Sequence, residues 1–286
     1  MKKHSKVGNE KVIPTAWLVA HCRTFSDIPF SKEIFDEMEK IRIEAGETIP
    51  EVVKDTRLSP QFEARYKLAN RLLKESGITQ ILEIAAGLSP RGLELSEDSR
   101  VTYVETDFSK LIEEKKQILS KFKKELPANI YFEPADALVY EELLLACKHF
   151  DEKKPIAVIH EGLLRYLSFE QKAVVAKNIH KILEKFGGVW ITPDISKKRM
   201  VQDSEVVAHG LRDKINEITG INIDNNLFDN EEHAVRFFSD LGFSIERHSF
   251  MEERNNLVSP KKLNIDDHKV RLLLENAQVF VMRVKT

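Results

Sequence analysis

Two carboxylates and a loop of small residues have the spacing of a nucleoside-binding βαβ unit. The apolar segment 81–84 is followed by three small residues, 85–87, and the next apolar segment, 101–104, ends at Glu105 and Asp107. Small residues allow a ligand to approach the backbone closely, and an acid at the end of the second strand can accept hydrogen bonds from both ribose hydroxyls. Residues i and i+2 of a strand lie on one side, so either acid can serve.

The glycine fingerprint of dinucleotide-binding folds does not fit this loop. It would place Ala85 at its first glycine, Gly87 at its second and Pro90 at its third. The third glycine allows close helix–strand packing, and a proline also removes an N–H group that would face a pyrophosphate. S-adenosylmethionine (SAM) has no phosphate and needs only close backbone approach and the ribose acid. The loop therefore favours SAM over NAD, while NAD binding and a loop without a ligand stay open.

Composition indicates an ordinary globular protein without a charged partner. The chain has 286 residues, 42% hydrophobic and 31% charged, with a net charge of −2. This length can form one large domain, and the weak net charge gives no basic field for nucleic acid or an anionic membrane. Cys22 and Cys147 lack metal-ligand spacing, and no apolar segment approaches the ~20 residues of a membrane span. The first residues lack the apolar region of a signal peptide. We expect a cytoplasmic protein with free thiols.

Strand-like apolar segments alternate with amphipathic helical patterns from about residue 62 onward. The predicted strands are 80–85, 100–106, 130–133, 155–160, 188–193, 243–250 and 278–284. The predicted helices are 62–75, 108–126, 139–149, 168–186 and 231–241. Near-continuous apolar strands that alternate with helices indicate a mostly parallel sheet covered on both faces.

Three segments lie outside this alternation. Residues 1–61 precede the sheet and have helical spacing, whereas 196–230 and 251–277 separate later elements. Loops of this length in a compact domain are usually functional, often as lids. We expect an N-terminal helical cap segment, 1–61, followed by one sheet domain, 62–286, with cap insertions at about 196–230 and 251–277.

A series of short motifs follows one order between about residues 12 and 195. They are 15–20 with Arg23, 62–65, 84–88, 103–108, Asp136 and 160–167. In this order the chain resembles the leucine carboxyl methyltransferase family, a SAM-dependent group that includes many bacterial small-molecule O-methyltransferases. The family's glycine loop usually reads Gly-Ala-Gly-Leu-Asp-Thr-Arg. Here Ala85 replaces the first glycine, Ser89 and Pro90 replace Asp-Thr, and Arg91 is retained.

The resemblance implies a role for each polar residue near the SAM methionine and ribose. Arg65 is the first candidate for the SAM carboxylate, because a guanidinium fork matches a carboxylate bidentately. Arg23 is the second candidate, and a surface arginine is the alternative for both. Asp107 is favoured for the ribose, with Glu105 as the other choice.

The remaining implied contacts come from later motifs and from the first strand. Asp136 and the backbone of Ala137 would contact the adenine, although Asp136 can instead cap the helix predicted at 139–149. Glu161 would accept from the SAM ammonium group. Apart from the resemblance, Glu83 inside the first apolar strand must find partners if it is buried, either SAM through water or loop N–H groups. Tyr166 would line the substrate cleft or position the methyl group, with a core aromatic as the alternative.

The predicted protein is a class I SAM-dependent methyltransferase with a Rossmann-like fold. Its seven-stranded sheet is mostly parallel with the last strand antiparallel, and its predicted reaction is O-methylation of a hydroxyl or carboxyl on a small metabolite. An NAD-dependent oxidoreductase is a rival without an evident hydride-transfer pair. A SAM-binding module without catalysis, suggested by Ala85 and Pro90, and a protein C-terminal carboxyl methyltransferase are further alternatives. The sequence gives no oligomeric state.

Overall fold

Residues 10–285 are described by a computed structural model of the chain. The first nine residues, to which the expectation of a missing signal peptide applies, lie outside this range. None of the helices between residues 10 and 285 is long and apolar enough to cross a membrane. Cys22 and Cys147 are both buried and unpaired, as predicted.

Seven strands form one sheet. They are β1 Gln80–Ile84, β2 Thr102–Asp107, β3 Ile130–Pro134, β4 Ile156–Ile159, β5 Gly188–Thr192, β6 Phe243–Ser249 and β7 Gln278–Val284. Their order across the sheet is β3-β2-β1-β4-β5-β7-β6, and β7 runs antiparallel to both of its neighbours while the other pairs are parallel. This confirms the predicted mostly parallel sheet. Because the chain crosses over between β1 and β4, the loops that follow these strands lie side by side at the carboxyl edge.

Twelve α-helices are found within residues 10–285. They are α1 Ile13–Arg23, α2 Ser31–Glu44, α3 Ser59–Glu75, α4 Arg91–Leu95, α5 Ser109–Phe122, α6 Tyr140–Ala146, α7 Phe169–Phe186, α8 Lys198–Val207, α9 Leu211–Thr219, α10 Glu231–Asp240, α11 Ser259–Lys262 and α12 Asp267–Glu275. Short 3₁₀ turns cover Glu51–Lys54, Cys147–His149, Leu164–Tyr166, Ile223–Asn226 and Phe250–Asn256, among others.

Local signals explain both ends of α7. α7 begins with a capping box between Ser168 and Gln171 and ends at Gly187, which has a φ of 72°; both are strong end signals. The helix predicted over 139–149 was too long, because α6 ends at Ala146 and the chain continues as a 3₁₀ turn. The predicted 108–126 helix was also too long, because Lys123 is extended.

The sheet separates two apolar cores. Alternate strand residues point to opposite faces, so that Ile81 and Ile159 join one core and Leu82 and Val158 join the other. The first core contains buried side chains of α1, α2, α3 and α12, and the second contains those of α6, α7 and α10. The three segments outside the sheet alternation thus contain α1 and α2, α8 and α9, and α11 and α12. Their treatment as caps on one domain stays an interpretation.

Candidate functional site

The loop after β1 is tightly turned and is held by an acid from β2. Ala85 and Gly87 both have a φ of 52°, in the left-handed region. Asp107 accepts one hydrogen bond from the Gly87 N–H at 2.8 Å and one from the Phe108 N–H at 2.8 Å. Burial raises the pKa of Asp107, and these two N–H groups oppose the rise. The carboxylate therefore lies directly beside the loop that was predicted to bind a nucleoside.

Ala85 occupies a conformation that suits glycine. An L-residue in this region is strained by about 1–2 kcal/mol, whereas glycine loses about 0.5–1 kcal/mol through its greater freedom in the unfolded chain. We expect Ala85→Gly to raise the free energy of unfolding by about 0.5–1 kcal/mol, which is a rise of about 1–4 °C in Tm. Thermal unfolding followed by circular dichroism measures the change.

Ala86 provides the matched control for this substitution. Its φ is not positive and its side chain is buried. Ala86→Gly should therefore lower the Tm instead, through greater unfolded-state entropy and the loss of a buried methyl group. A lower Tm for Ala85→Gly would show that Ala85 is not strained.

Helix α1 covers the same loop. A side-chain carbon built on Gly87 would lie 3.6 Å from Cβ of Ala16. The small residue at Ala16, in the 15–20 motif, therefore allows α1 to pack directly on the loop that follows β1. Two motifs about 70 residues apart in the sequence meet at this point.

Glu105 lies beneath the loop. It is fully buried, and its carboxylate is paired with the ammonium of Lys115, which also donates to the Ser89 carbonyl at 2.7 Å. Burial raises the pKa of Glu105. Lys115 thus occupies the Glu105 carboxylate, whereas Asp107 contacts the loop directly. Of the two acids, Asp107 is the one beside the loop.

Close packing of helix on strand occurs at Gly92, which the sequence analysis missed. A side-chain carbon on Gly92 would overlap the Glu105 carboxylate and lie 2.8 Å from Cδ1 of Ile130. The third glycine of a dinucleotide fingerprint has this packing role. In this chain Gly92 has that role, two residues after Pro90 and inside the first turn of α4. The glycine itself, which no other feature of the sequence explains, could have indicated this close packing.

Three arginines from three helices converge on one carboxylate. Arg23 of α1 donates from Nη2 to Oε2 of Glu161 at 2.6 Å, and Arg65 of α3 donates from Nε to the same oxygen at 2.8 Å. Arg91 of α4 donates to the other oxygen of Glu161. Glu161 follows β4, so α1, α3 and α4 all meet at the carboxyl edge of the sheet.

Arg91 also binds the acid inside β1. It donates to Glu83, and its Nε donates to Oδ1 of Asn70 at 2.6 Å. Tyr103 donates its hydroxyl proton to the second oxygen of Glu83 at 2.8 Å. The expectation that Glu83 satisfies loop N–H groups was wrong, because among residues 10–285 its carboxylate accepts from Arg91 and Tyr103 and from no loop N–H group. Glu83 is 1% exposed, so it supports the site through Arg91.

The arginine cluster, comprising Arg23, Arg65, Arg91, Glu83 and Glu161, carries an excess positive charge. Burial would raise the pKa of Glu161, but the surrounding arginines hold it well below its usual range. Burial lowers the pKa of Arg91, yet Glu161 and Glu83 outweigh this effect and raise it. Burial lowers the pKa of Arg23. Within these five residues three guanidinium groups face two carboxylates in a dry environment, and the buried carboxylate of Asp194 also interacts with Arg65.

Arg65 has terminal N–H groups that are free to bind a ligand. Its Nε contacts Glu161, but its two terminal nitrogens make no hydrogen bond to any side chain or backbone group between residues 10 and 285. All three donor nitrogens of Arg91, by contrast, are used. A fork of two parallel N–H groups matches a carboxylate. The residues present therefore fit the amino-acid end of SAM.

The two residues predicted to contact adenine lie in a turn after β3. Asp136 accepts from the Leu138 N–H at 2.9 Å and is half-buried. It does not cap the following helix, which begins at Tyr140 without a side-chain cap. Ala137 is buried, and its carbonyl accepts from Asn178 at 3.0 Å. Neither side chain contacts the arginine cluster.

Tyr166 lies in the 3₁₀ turn Leu164–Tyr166, which follows Glu161 after β4. It is half-buried against the core that contains α1 and α3. Its hydroxyl makes no hydrogen bond within the described range, residues 10–285. This position is compatible with both predicted roles of Tyr166, a residue that lines the substrate cleft and an aromatic of the core.

A family match spans much of this site. The model of the leucine carboxyl methyltransferase family matches residues 29–180, more than half of the chain. The chain belongs to the leucine carboxyl methyltransferase family. This methyltransferase is therefore a SAM-dependent enzyme, and SAM is its cofactor. The match includes Arg65, Arg91, Asp107 and Glu161, whereas Arg23 lies just before it.

Solved structures confirm the fold of this methyltransferase. A DUF574 family protein from Streptomyces avermitilis is similar with a TM-score of 0.54 and 15% identity, covering 94% of this chain and 97% of that one. Magnesium protoporphyrin IX methyltransferase from Synechocystis, with S-adenosylhomocysteine bound, has a TM-score of 0.51 and 12% identity, covering 88% and 94% of the two chains. No sequence among the curated proteins matches the chain.

Proposed function

We propose that this methyltransferase methylates an oxygen atom, a hydroxyl or carboxyl, of a small metabolite. The observation that supports its SAM site is the arginine cluster with its free Arg65 fork, at the carboxyl edge beside the loop after β1. The oxygen acceptor is proposed from the resemblance to small-molecule O-methyltransferases. Open α/β sheets bind ligands at this edge. Arg65 binds the SAM carboxylate in this proposal, with Arg23 beside it.

Other residues complete the proposed cofactor site. Asp107 accepts from the ribose hydroxyls, and Ala85 and Gly87 allow close approach of the backbone. Glu161 accepts from the SAM ammonium group, while Glu83 and Glu105 hold Arg91 and Lys115 below the contact surface. Asp136 and the Ala137 backbone lie toward the adenine.

Catalysis in this proposal comes from positioning. SAM supplies a methyl group that is already activated on a sulfonium. The protein therefore has to hold the acceptor oxygen in line and exclude water, and positioning alone can lower a barrier by about 7–11 kcal/mol. Tyr166 lines the acceptor side. A carboxylate acceptor is already ionised at neutral pH and needs no general base. A hydroxyl acceptor needs a base to remove its proton.

Calorimetric titration with SAM, S-adenosylhomocysteine and NADH tests the cofactor site. We expect micromolar binding of the first two and none of NADH. Transfer of a labelled methyl group to a panel of hydroxyl and carboxyl metabolites then tests the reaction. Release of labelled methanol by mild base identifies a methyl ester, while a base-stable product identifies an ether.

The same experiment separates the alternatives. SAM binding without transfer to any member of the panel would support a non-catalytic SAM-binding module. Transfer only to peptides with a free C-terminal carboxylate would support a protein carboxyl methyltransferase. NADH binding in place of SAM would contradict the proposal.

The ribose assignment predicts the effect of Asp107→Asn. The amide removes a charged acceptor, and a hydrogen bond to a charged group contributes about 1.5–3 kcal/mol. We expect SAM to bind about 10–150-fold more weakly to the variant, measured by calorimetry. Because Asp107 also accepts from Gly87, the Tm is measured in parallel. Unchanged SAM affinity in a folded variant would contradict the ribose role.

A further inference from the structure

A buried lysine lies at the start of α7, behind the turn that carries Tyr166. Lys172 is 1% exposed and is the fourth residue of its helix. A positive charge near a helix N-terminus is opposed by the helix dipole, and a buried ammonium is unfavourable unless it is paired. Neither helix formation nor core packing calls for lysine at this position. Its contacts should therefore explain it.

The ammonium joins two separate segments of backbone. Nζ of Lys172 donates to the Leu167 carbonyl at 2.5 Å and to the Asn226 carbonyl at 2.8 Å. The rings of Phe169 and Phe228 lie 4.8 Å and 5.8 Å from Nζ and exclude water. Leu167 ends the turn after β4, whereas Asn226 belongs to the 196–230 insertion. One side chain thus links the turn to the insertion.

Two further side chains hold the same turn. Asn226 donates from Nδ2 to the Arg165 carbonyl at 3.2 Å. The carboxylate of Asp194, which follows β5, accepts from the Leu164 N–H. The backbone of residues 164–167 is therefore held from α7, from the insertion and from the end of β5. We call Lys172, Asn226 and Asp194 the turn clamp.

The charge of Lys172 is retained in this environment. Burial lowers the pKa of Lys172 to about 8 even though Asp194 and Glu170 oppose the effect. The ammonium is therefore largely protonated at pH 7. Its three N–H groups exceed the two carbonyls that accept from it, and the two aromatic faces stabilise the remaining charge.

We propose that Lys172 is a positioning residue for methyl transfer, which fixes the turn at 164–167 to the insertion at 196–230. The turn lies between Glu161 of the arginine cluster and the insertion, and it carries Tyr166. The clamp makes the acceptor-side turn and the insertion one rigid unit, so that Tyr166 keeps its position relative to the cofactor cluster. The positioning of an acceptor rests on the proposed function, but the clamp itself does not.

Hydrogen exchange measured by mass spectrometry tests the clamp without any acceptor. In Lys172→Met, amides in residues 163–168 and 222–228 should exchange at least tenfold faster than in the wild type, while amides of β1 and β4 should not change. Lys172→Arg should restore much of the protection, because it retains a cation with several donors. Lys177→Met is the matched control, since Lys177 is exposed on the same helix, and it should behave as the wild type.

Kinetics give the second readout. With an acceptor found in the panel, Lys172→Met should lower kcat at least tenfold while the Kd for SAM stays within twofold. A purely structural loss would instead weaken SAM binding and activity together. If the wild type methylates no acceptor, the proposed function fails, and the exchange data still decide the clamp.

Asn226→Ala keeps the test decisive if Lys172→Met does not fold. It removes only the bond to Arg165 and should also speed exchange in residues 163–168. Where Lys172→Met does fold, combining it with Asn226→Ala should give less than the sum of the two effects, because both act through one turn. Unchanged exchange in the turn, or equal acceleration throughout the chain, would overturn the proposal.

Discussion

Replacement of Arg91 by methionine should lower the free energy of unfolding by about 3–5 kcal/mol, because it leaves buried carboxylates without their partner. Arg91 is fully buried and donates to both Glu83 and Glu161. Methionine fills a similar volume but has no donor. Urea unfolding measured at pH 7 gives the change, and SAM binding should also be lost.

Arg100→Met is the matched control for this prediction. Arg100 pairs with Asp98 on the surface, where ion pairs contribute little, so its loss should not change the urea midpoint. Adding Glu83→Gln to Arg91→Met should recover part of the lost stability, since it removes one uncompensated charge. An unchanged urea midpoint for Arg91→Met would contradict the importance of the arginine cluster.

The same cluster makes stability sensitive to acid. The folded-state pKa of Glu161 lies below its unfolded value, because arginines overcome the effect of burial. Its stabilisation is therefore present at neutral pH and is lost as the pH falls below about 4, the range of an unfolded glutamate. Arg91→Met should lose less stability on acidification, because it removes the largest cause of this depression. Its acid-unfolding midpoint should still lie at higher pH, since the variant starts from a lower stability at neutral pH.

Replacement of Arg65 by methionine should weaken SAM binding by about 10–150-fold, the effect of removing about 1.5–3 kcal/mol of charged hydrogen bonding. The terminal nitrogens of Arg65 are free, so the loss falls on the ligand more than on the fold. Glu161 keeps Arg23 and Arg91 as partners. Calorimetry with SAM measures the effect, and Arg65→Lys should recover only part of it, because lysine lacks the fork.

Two comparisons make this result specific. Arg283→Met, at an exposed position on β7, should leave SAM affinity unchanged. Adenosine lacks the amino-acid carboxylate, so its affinity should fall little in Arg65→Met. An equal loss for adenosine and SAM would mean that Arg65 acts on the fold of the site and not on the carboxylate.

The sheet was predictable because its signals are local. Apolar segments such as 156–159 are buried on both faces, and glycines such as Gly187 mark the helix ends, so the sequence predicts the strands within one or two residues. The lengths of α5 and α6 were overestimated, because amphipathic spacing continues past the point where the backbone leaves the helix. Hydrophobic spacing predicts a buried face better than a helix end.

The sequence singled out members of the arginine cluster but not their pairing. Arg65, Arg23 and Glu161 were all singled out, yet the sequence does not show that Arg91 and both other arginines share one glutamate. Such contacts depend on how three helices cross the sheet edge. Glu105 and Asp107 lie on the same side of β2, so the sequence alone does not separate their roles. Their different neighbours, Lys115 and Gly87, distinguish them in the structure.

The pairing of Arg23 with Glu161 also constrains how the chain folds during synthesis. The two residues are 138 positions apart. At translation rates of about 5–20 residues per second, the ribosome needs about 7–28 seconds between them. Throughout that interval α1 has no access to the carboxylate that neutralises its buried arginine. Helix α1 is therefore synthesised well before the partner that neutralises its buried charge, and it is open to wrong contacts during that interval.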